Sequence, residues 1–173
     1  NLWVGLDNGI DLIKINAPQY VYTDVTGNIG SVYTAVIHNN ALFLGTNRGV
    51  FFKRFDRTGG FIDHRFTLIP NSQGQVWSLE VFDNQLLCGH NNATYVIDGF
   101  ALRKISDVSG GYAFVRYPYD NDLIVQGAYT GLFLYRKEHS SWKYMGRLEG
   151  FNKLSKQLAF ERQNVLWVSH PYQ

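Results

Sequence analysis

One short phrase recurs along the chain, and its spacing constrains the fold more than any single residue does. The phrase consists of apolar residues, a small residue, three variable residues, a second small residue and another apolar stretch. Its copies read LWVGLDNGIDLI, LFLGTNRGVFF, LLCGHNNATYVI and LIVQGAYTGLFL, and a fifth copy begins with LWVSHPY. A period of about 40 residues with strand-like content is typical of a β-propeller or a similar radial array of sheets. The leading small residues are Gly5, Gly45, Gly89, Gly127 and Ser169, and the second ones are Gly9, Gly49, Ala93 and Gly131.

The composition favours a strand-rich protein with a well-buried core. Aromatic residues make up 16% of the 173 residues and charged residues only 17%, which is untypical of disordered chains. The formal net charge is +2, and the basic residues are scattered along the chain. Since proteins that bind nucleic acids concentrate basic residues in patches, we expect no direct nucleic-acid partner.

The single cysteine and the lengths of the apolar runs restrict the chain further. Cys88 lies within the apolar stretch LLCG, so we expect a small buried core residue, and no disulfide can form within the chain. No apolar run approaches the ~18 residues of a membrane span, and the sequence shows no signal peptide. Because the sequence starts and stops within copies of the recurring phrase, we expect a segment of a longer protein with no membrane contact of its own.

Residues 31–73 predict four consecutive strands. SVYTAVIHN, ALFLGT, VFFKRF and HRFTLIP are rich in β-branched and aromatic residues. Turn residues separate them at Asn39-Asn40, at Asn47–Gly49 and at Thr58–Gly60. Four strands joined by tight turns form an antiparallel meander, which is the blade of a propeller.

The remaining chain divides in the same way into a single all-β propeller segment, residues 1–173. Residues 74–110 and 111–152 each predict a four-stranded antiparallel blade. Residues 1–30 predict the last three strands of one blade, including YVYTDV, and residues 153–173 the first two strands of another. About four blades are therefore present, and two arrangements stay open. The chain could close as a four-bladed ring, with Ser155–Gln163 pairing beside the opening strands, or form an arc of a seven- or eight-bladed ring.

The small residues of the phrase have structural roles. A glycine on the second strand lets the adjacent sheet approach closely, and the glycine four residues later closes the turn into the third strand. GLDNG and GTNRG are not phosphate-binding loops, because no helix follows them and no lysine occupies the P-loop position.

Aromatic residues give the strongest indication of a ligand site. Tyr33, Trp77 and Tyr112 begin successive first strands, at the mouth of the expected channel. Rings with polar groups nearby suit the faces and hydroxyls of sugars, although ordinary packing between blades explains Trp77 and Trp167 better and is an equal alternative for the tyrosines. Turn residues expected on the same rim are Arg48, His90, Tyr129, His170 and Tyr172, with the two histidines near solvent.

The sequence offers little for catalysis or metal binding. The histidines lack metal-ligand spacing, no HExxH or calcium-loop motif occurs, and no GxSxG motif is present. Glu80 and Glu161 fall on first strands and could serve as a glycosidase pair, but nothing in the sequence pairs them. We therefore expect a non-enzymatic protein without metal or cofactor.

LWVGLDNGIDLI and LFLGTNRGVFF resemble the repeat of two-component-regulator propellers, LW-(I/V)-G-T-x-x-G-(L/I). Two copies depart from it: Ala93 replaces the second glycine of LLCGHNNATYV, and Ala128 replaces the threonine of LIVQGAYTGLF. GQVWSLEVFDNQLLCGH and KISDVSGGYAF are similar to the sensor regions of Bacteroidetes-type regulators. These are hybrid histidine kinases, or membrane-bound regulators with a triple-tyrosine domain and a helix-turn-helix output.

The resemblance implies a periplasmic sensor module that responds to glycan oligosaccharides and dimerises within its parent protein. None of the kinase, membrane or DNA-binding parts of such regulators is in this sequence. Two other functions stay open: a propeller scaffold for protein partners, and a glycoside hydrolase or lyase built on a propeller.

Overall fold

The computed structural model describes residues 24 and 26–171 in full and the backbone alone of residues 2–6 and 9–13. These residues form strands and turns without helices, and accordingly no helix suited to crossing a membrane is found among them. The strands are β1 (Leu2–Leu6), β2 (Gly9–Ile13), β3 (Val32–His38), β4 (Ala41–Thr46), β5 (Gly49–Arg54), β6 (Thr67–Leu68), β7 (Val76–Phe82), β8 (Gln85–His90), β9 (Thr94–Asp98), β10 (Ala101–Ser106), β11 (Ala113–Arg116), β12 (Leu123–Ala128), β13 (Gly131–Glu138), β14 (Ser141–Arg147), β15 (Gln157–Arg162) and β16 (Val165–Ser169).

The strands form sheets in chain order. Three four-stranded antiparallel sheets, β3–β6, β7–β10 and β11–β14, confirm the meanders predicted for residues 31–73, 74–110 and 111–152. Strands β1 and β2 form a two-stranded sheet, as do β15 and β16. The closed four-bladed ring requires β15 to pair with the opening strands. Among the described strands, β15 pairs only with β16. The predicted strand YVYTDV falls almost wholly outside the described residues.

The tight turns follow the predicted turn residues. Asn39 and Asn40 have φ angles of 44° and 58°. Positive φ at both central residues matches the right-handed twist of the strands that such a turn joins, and asparagine tolerates it well. Gly49 and Gly131, second small residues of the phrase, have φ angles of 135° and 138°, as their role in the turn requires. Ala93 lacks a positive φ, so the turn after β8 has a different shape.

The sheets pack face to face in the order of the sequence. Strand β7 contacts β3 and β4 of the preceding sheet, β11 contacts β7, and β15 contacts β11. The first strands β3, β7, β11 and β15 therefore follow one another in series. Strands β10 and β14, the fourth strands of their sheets, are also in contact.

The hydrophobic core lies between the sheets. Leu86 and Cys88 on β8 belong to the cluster shared with β3–β6, whereas Leu87 between them belongs to the cluster shared with β11–β14. The second strand is thus buried on both faces, which explains its continuous apolar sequence. Cys88 is buried as predicted, and burial raises the pKa of its thiol to about 12.

Close approach at the leading glycines is confirmed in all three four-stranded sheets. At each of these glycines, atoms of the next sheet lie in the space that a side chain would need, so a larger residue requires its neighbours to move. A Cβ atom would lie 2.7 Å from Val76 Cγ1 at Gly45, 2.0 Å from the Gly111 carbonyl oxygen at Gly89, and 2.7 Å from the Ser155 carbonyl oxygen at Gly127.

Candidate functional site

Three aromatic residues singled out in the sequence meet in one row, here called the aromatic row: Tyr33, Trp77 and Tyr112. The ring centroids of Tyr33 and Trp77 are 5.0 Å apart, with 29° between the ring planes. Those of Trp77 and Tyr112 are 4.7 Å apart, with 33° between the planes. Since each ring comes from a different sheet, the series of first strands brings them together.

Lys156 continues the aromatic row at the next sheet. It immediately precedes β15, as Tyr112 precedes β11, and its Nζ lies 5.6 Å from the centroid of the Tyr112 ring. The strand register shows the equivalence, because Gly127 pairs with Ala113 and Ser169 pairs with Gln157. Sequence reasoning missed Lys156 because it looked for aromatic residues, although the position relative to the repeat would have identified it.

Tyr129, on the turn between β12 and β13, contacts two members of the row, Trp77 and Tyr112. Its hydroxyl oxygen accepts a hydrogen bond from Trp77 Nε1 at 2.9 Å, and its ring packs edge-on against Tyr112 with centroids 5.6 Å apart. Gly110 makes room for this ring, since a Cβ atom there would lie 2.2 Å from Tyr129 Cγ. This glycine has a positive φ of 72° and was not identified from the sequence.

The row presents different groups at its two ends. Trp77 has a tyrosine ring on either side, so its ring faces serve packing, as the sequence analysis favoured. Tyr33 is 45% exposed, and the Lys156 ammonium is also exposed. A ligand can thus meet the outer Tyr33 ring, the edges of the row and one positive charge.

Trp167, for which packing was also favoured, is instead 64% exposed, so that expectation is wrong.

His90 does not reach this surface, and the expectation that it lies near solvent is wrong. It is 2% exposed, with Nε2 3.3 Å from the Ser72 carbonyl oxygen and Nδ1 accepting the Asn92 amide at 3.1 Å. Burial lowers the pKa of the imidazole. Thr46 occupies the same position in the preceding copy, and its Oγ1 accepts the Arg48 amide at 2.9 Å. Both side chains therefore stabilise the turn after the second strand.

Arg48 and His170 lie at the end of the sheets that carries the row. Arg48 is exposed on the turn after β4, and the pairing of Val32 with Thr46 places this turn beside the start of β3. His170 follows β16, is partly buried, and has Nδ1 3.2 Å from the Leu154 carbonyl oxygen. Tyr172 falls outside the described residues.

The two glutamates lie in sheets that are not neighbours, since β11 stands between β7 and β15. Glu80 Oε1 accepts the Phe114 amide at 3.0 Å, and burial raises the carboxyl pKa against the opposing effect of this hydrogen bond. Glu161 is exposed and accepts a hydrogen bond from Trp167 Nε1 at 2.8 Å. In the described part of the chain, no group of three or more His, Cys, Asp and Glu residues is placed to hold a metal ion.

No protein-family model matches this chain, and no curated protein matches it by sequence. The resemblance carried by the recurring phrase therefore stays an expectation, and the geometry of the aromatic row has to support any functional proposal.

Proposed function

We propose that the chain is an arc of a β-propeller that serves as the non-enzymatic, extracytoplasmic ligand-binding module of a signal-transduction regulator. Its ligands are oligosaccharides derived from glycans, bound at the aromatic row in the periplasm. The observation that carries the proposal is the row itself, in which residues from three sheets meet at one end of their first strands.

Three features support the propeller arrangement. The meanders repeat in chain order, the first strands neighbour one another, and each leading glycine receives the next sheet. Propeller blades share these features because every blade packs on the following one around a common axis. An arc is favoured over a small ring, since β15 and the opening strands belong to separate sheets.

The chemistry of the row suits carbohydrate. Sugar rings combine apolar C–H faces with hydroxyl groups, and tyrosine offers both an apolar ring and a polar oxygen. Stacking against Trp77 and the hydrogen bond from Trp77 to Tyr129 hold the rings in place before a ligand arrives. Binding to a pre-ordered surface costs less conformational entropy. In a dimeric parent protein, a ligand with higher affinity for one dimer arrangement shifts the population towards it.

A glycan array followed by titration calorimetry on the 173-residue chain tests the proposal. We expect Tyr33→Ala to weaken oligosaccharide binding about tenfold or more, because a stacking ring is lost. Tyr119→Ala is the matched control, since Tyr119 is 59% exposed and lies at the opposite end of β11. Equal affinities of the two variants would remove the row from the site, and absence of binding to every glycan would contradict the sensor function. Cleavage of a bound glycan that Glu80→Gln abolishes would instead establish an enzyme.

A scaffold for protein partners is the second candidate, and the exposure of Trp167 favours it. An exposed large apolar side chain on a sheet face is typical of contact surfaces when it belongs to a wider patch. This function predicts that Trp167→Ala reduces association in sedimentation velocity, whereas Tyr33→Ala leaves association unchanged.

A further inference from the structure

Lys156 occupies the position in its sheet that Tyr33, Trp77 and Tyr112 occupy in theirs, and it is the charged residue of these four. Its charge is not neutralised within the described structure. The ion pairs of the described residues engage Lys104, Lys137 and Lys143, and none engages Lys156. Among the described residues, its Nζ lies over the face of the Tyr112 ring, 5.6 Å from the centroid. An ammonium group over an aromatic face is held in position while its outer hydrogens stay available to an acceptor.

Asp24 and Asp107, on the segments that lead into β3 and β11, do not accept a hydrogen bond from Lys156. Asp107 accepts Lys104 Nζ at 2.6 Å, and Asp24 accepts the Ile29 amide at 2.6 Å. By contrast, cations at the opposite end have carboxylate partners, since Asp83 binds both Arg116 and Lys137.

Three further exposed cations lie at the same end as Lys156, namely Arg48, Arg147 and Lys153. The exposed carboxylates there are those of Glu149 and Asp107, and Asp107 is paired with Lys104. The end of the sheets that carries the row is therefore locally positive. A locally positive surface raises the concentration of anionic ligands near it and strengthens their binding at low salt.

We propose that the aromatic row accepts an anionic sugar unit, whose carboxylate or sulfate group binds Lys156 Nζ while the sugar lies along the row. This inference rests on the carbohydrate site proposed above and specifies its ligand class. A lysine ammonium is a compact charge without the planar fork of arginine, so it accepts either anion. A charge-assisted hydrogen bond contributes more to affinity than a neutral one, which gives preference over the uncharged sugar.

Matched probes test the preference by calorimetry. The probe pairs are α-1,4-linked galacturonotriose with α-1,4-linked galactotriose, and a sulfated galactan oligosaccharide with its desulfated form. We expect the anionic member of at least one pair to bind about tenfold more tightly, and Lys156→Gln to abolish that difference. Lys153→Gln is the matched control, since it removes an exposed charge three residues away, and Lys156→Arg should retain the preference.

The outcomes separate this inference from the proposal beneath it. Binding of neutral sugars at the row without preference for the anionic partners overturns the anionic class and leaves the carbohydrate site. Equal losses for Lys156→Gln and Lys153→Gln also overturn it, because general charge attraction then explains the preference. Binding of no member of either pair, together with a blank glycan array, overturns both proposals. A preference for the carboxylated over the sulfated probe identifies uronates as the source of the anion.

Discussion

Two residues at the same position of the repeat differ in exposure, because one lies between two sheets and the other lies on a sheet face that no described sheet covers. Leu87 on β8 and Trp167 on β16 each lie two residues before a leading small residue. Leu87 is 0% exposed, in the interface between β7–β10 and β11–β14, here called the covered interface. Trp167 is 64% exposed on the face of β15–β16 that carries Ser169, here called the open face. The repeat therefore specifies the strand and its alternation, and only a neighbouring sheet confers burial.

The covered interface also contains a buried polar network that the open face lacks. Gln126 Oε1 accepts the Tyr135 hydroxyl at 2.7 Å and the Thr94 hydroxyl at 3.1 Å. Ser106 Oγ lies 2.6 Å from the same Tyr135 oxygen. Buried polar groups must find partners inside the protein, so this network fixes the relative position of the two sheets. On the open face, the hydrogen bond from Trp167 to Glu161 competes with water.

The largest contrast is expected from truncation of the equivalent side chains. Leu87→Ala should lower the free energy of unfolding by about 2–5 kcal/mol, because it leaves a cavity between two packed sheets. Trp167→Ala should change it by less than about 1 kcal/mol, since most of the indole is already in water. Urea titrations of the two variants measure both values. A similar loss for both would show that the open face is covered in solution.

The second contrast concerns the leading small residues. Gly89→Val should cost about 3 kcal/mol, because its Cβ would meet the backbone oxygen of Gly111. Ser169→Val, at the equivalent and exposed position of β16, should lie within about 0.5 kcal/mol of the wild type. Thermal unfolding at matched concentrations compares them, and a stable Gly89→Val variant would contradict the close approach of the sheets.

Removal of one hydroxyl from the polar network should have a moderate effect. Tyr135→Phe takes a partner from Ser106 and Gln126 and should cost about 1–2 kcal/mol. Burial raises the pKa of Tyr135 to about 12, so the phenol stays protonated over the working range. Tyr144→Phe, in the same sheet but substantially exposed, is the control and should be almost neutral. Equal unfolding midpoints in guanidinium chloride for both variants would exclude a stabilising network.

The smallest contrast is a pH dependence at Glu80, whose equivalent on β15 is Ala159. The pKa of Glu80 is raised, so the folded state binds its proton more tightly than the unfolded chain does. This contribution to stability is complete below the ordinary value of 4.5 and is lost as pH rises through the raised pKa. Stability relative to Glu80→Gln should therefore fall as the pH rises above 4.5. If the difference in urea midpoint between the two proteins did not change with pH, the pKa of this carboxyl would be the same in the folded and unfolded states.

Most strands were predictable from sequence because the repeat fixes both alternation and turns. ALFLGT and GLFLYRKE correspond to β4 and β13 residue for residue. HRFTLIP was harder, since only Thr67–Leu68 pairs with β5. A fourth strand at the sheet edge has one partner, so its hydrogen bonding depends on how the long preceding loop is placed rather than on its own composition.

Within the candidate site, sequence placed Tyr33, Trp77, Tyr112 and Tyr129 at one end of the sheets, where they do meet. The prediction for His90 was wrong, because a polar residue at a turn was expected to be exposed, whereas this side chain is buried within the turn. Sequence reasoning also missed Lys156, whose membership follows from register and not from side-chain chemistry. Position within a repeat is therefore a better guide than residue type.

Every described strand pairing joins strands that are consecutive in the chain. Such pairings close short loops, so ordering one sheet requires no contact with distant sequence. Each sheet then gains stability from the sheets on either side, as in a linear array with nearest-neighbour coupling. We expect nucleation in β7–β10 or β11–β14 followed by outward growth, with β15–β16 exchanging its amide hydrogens first.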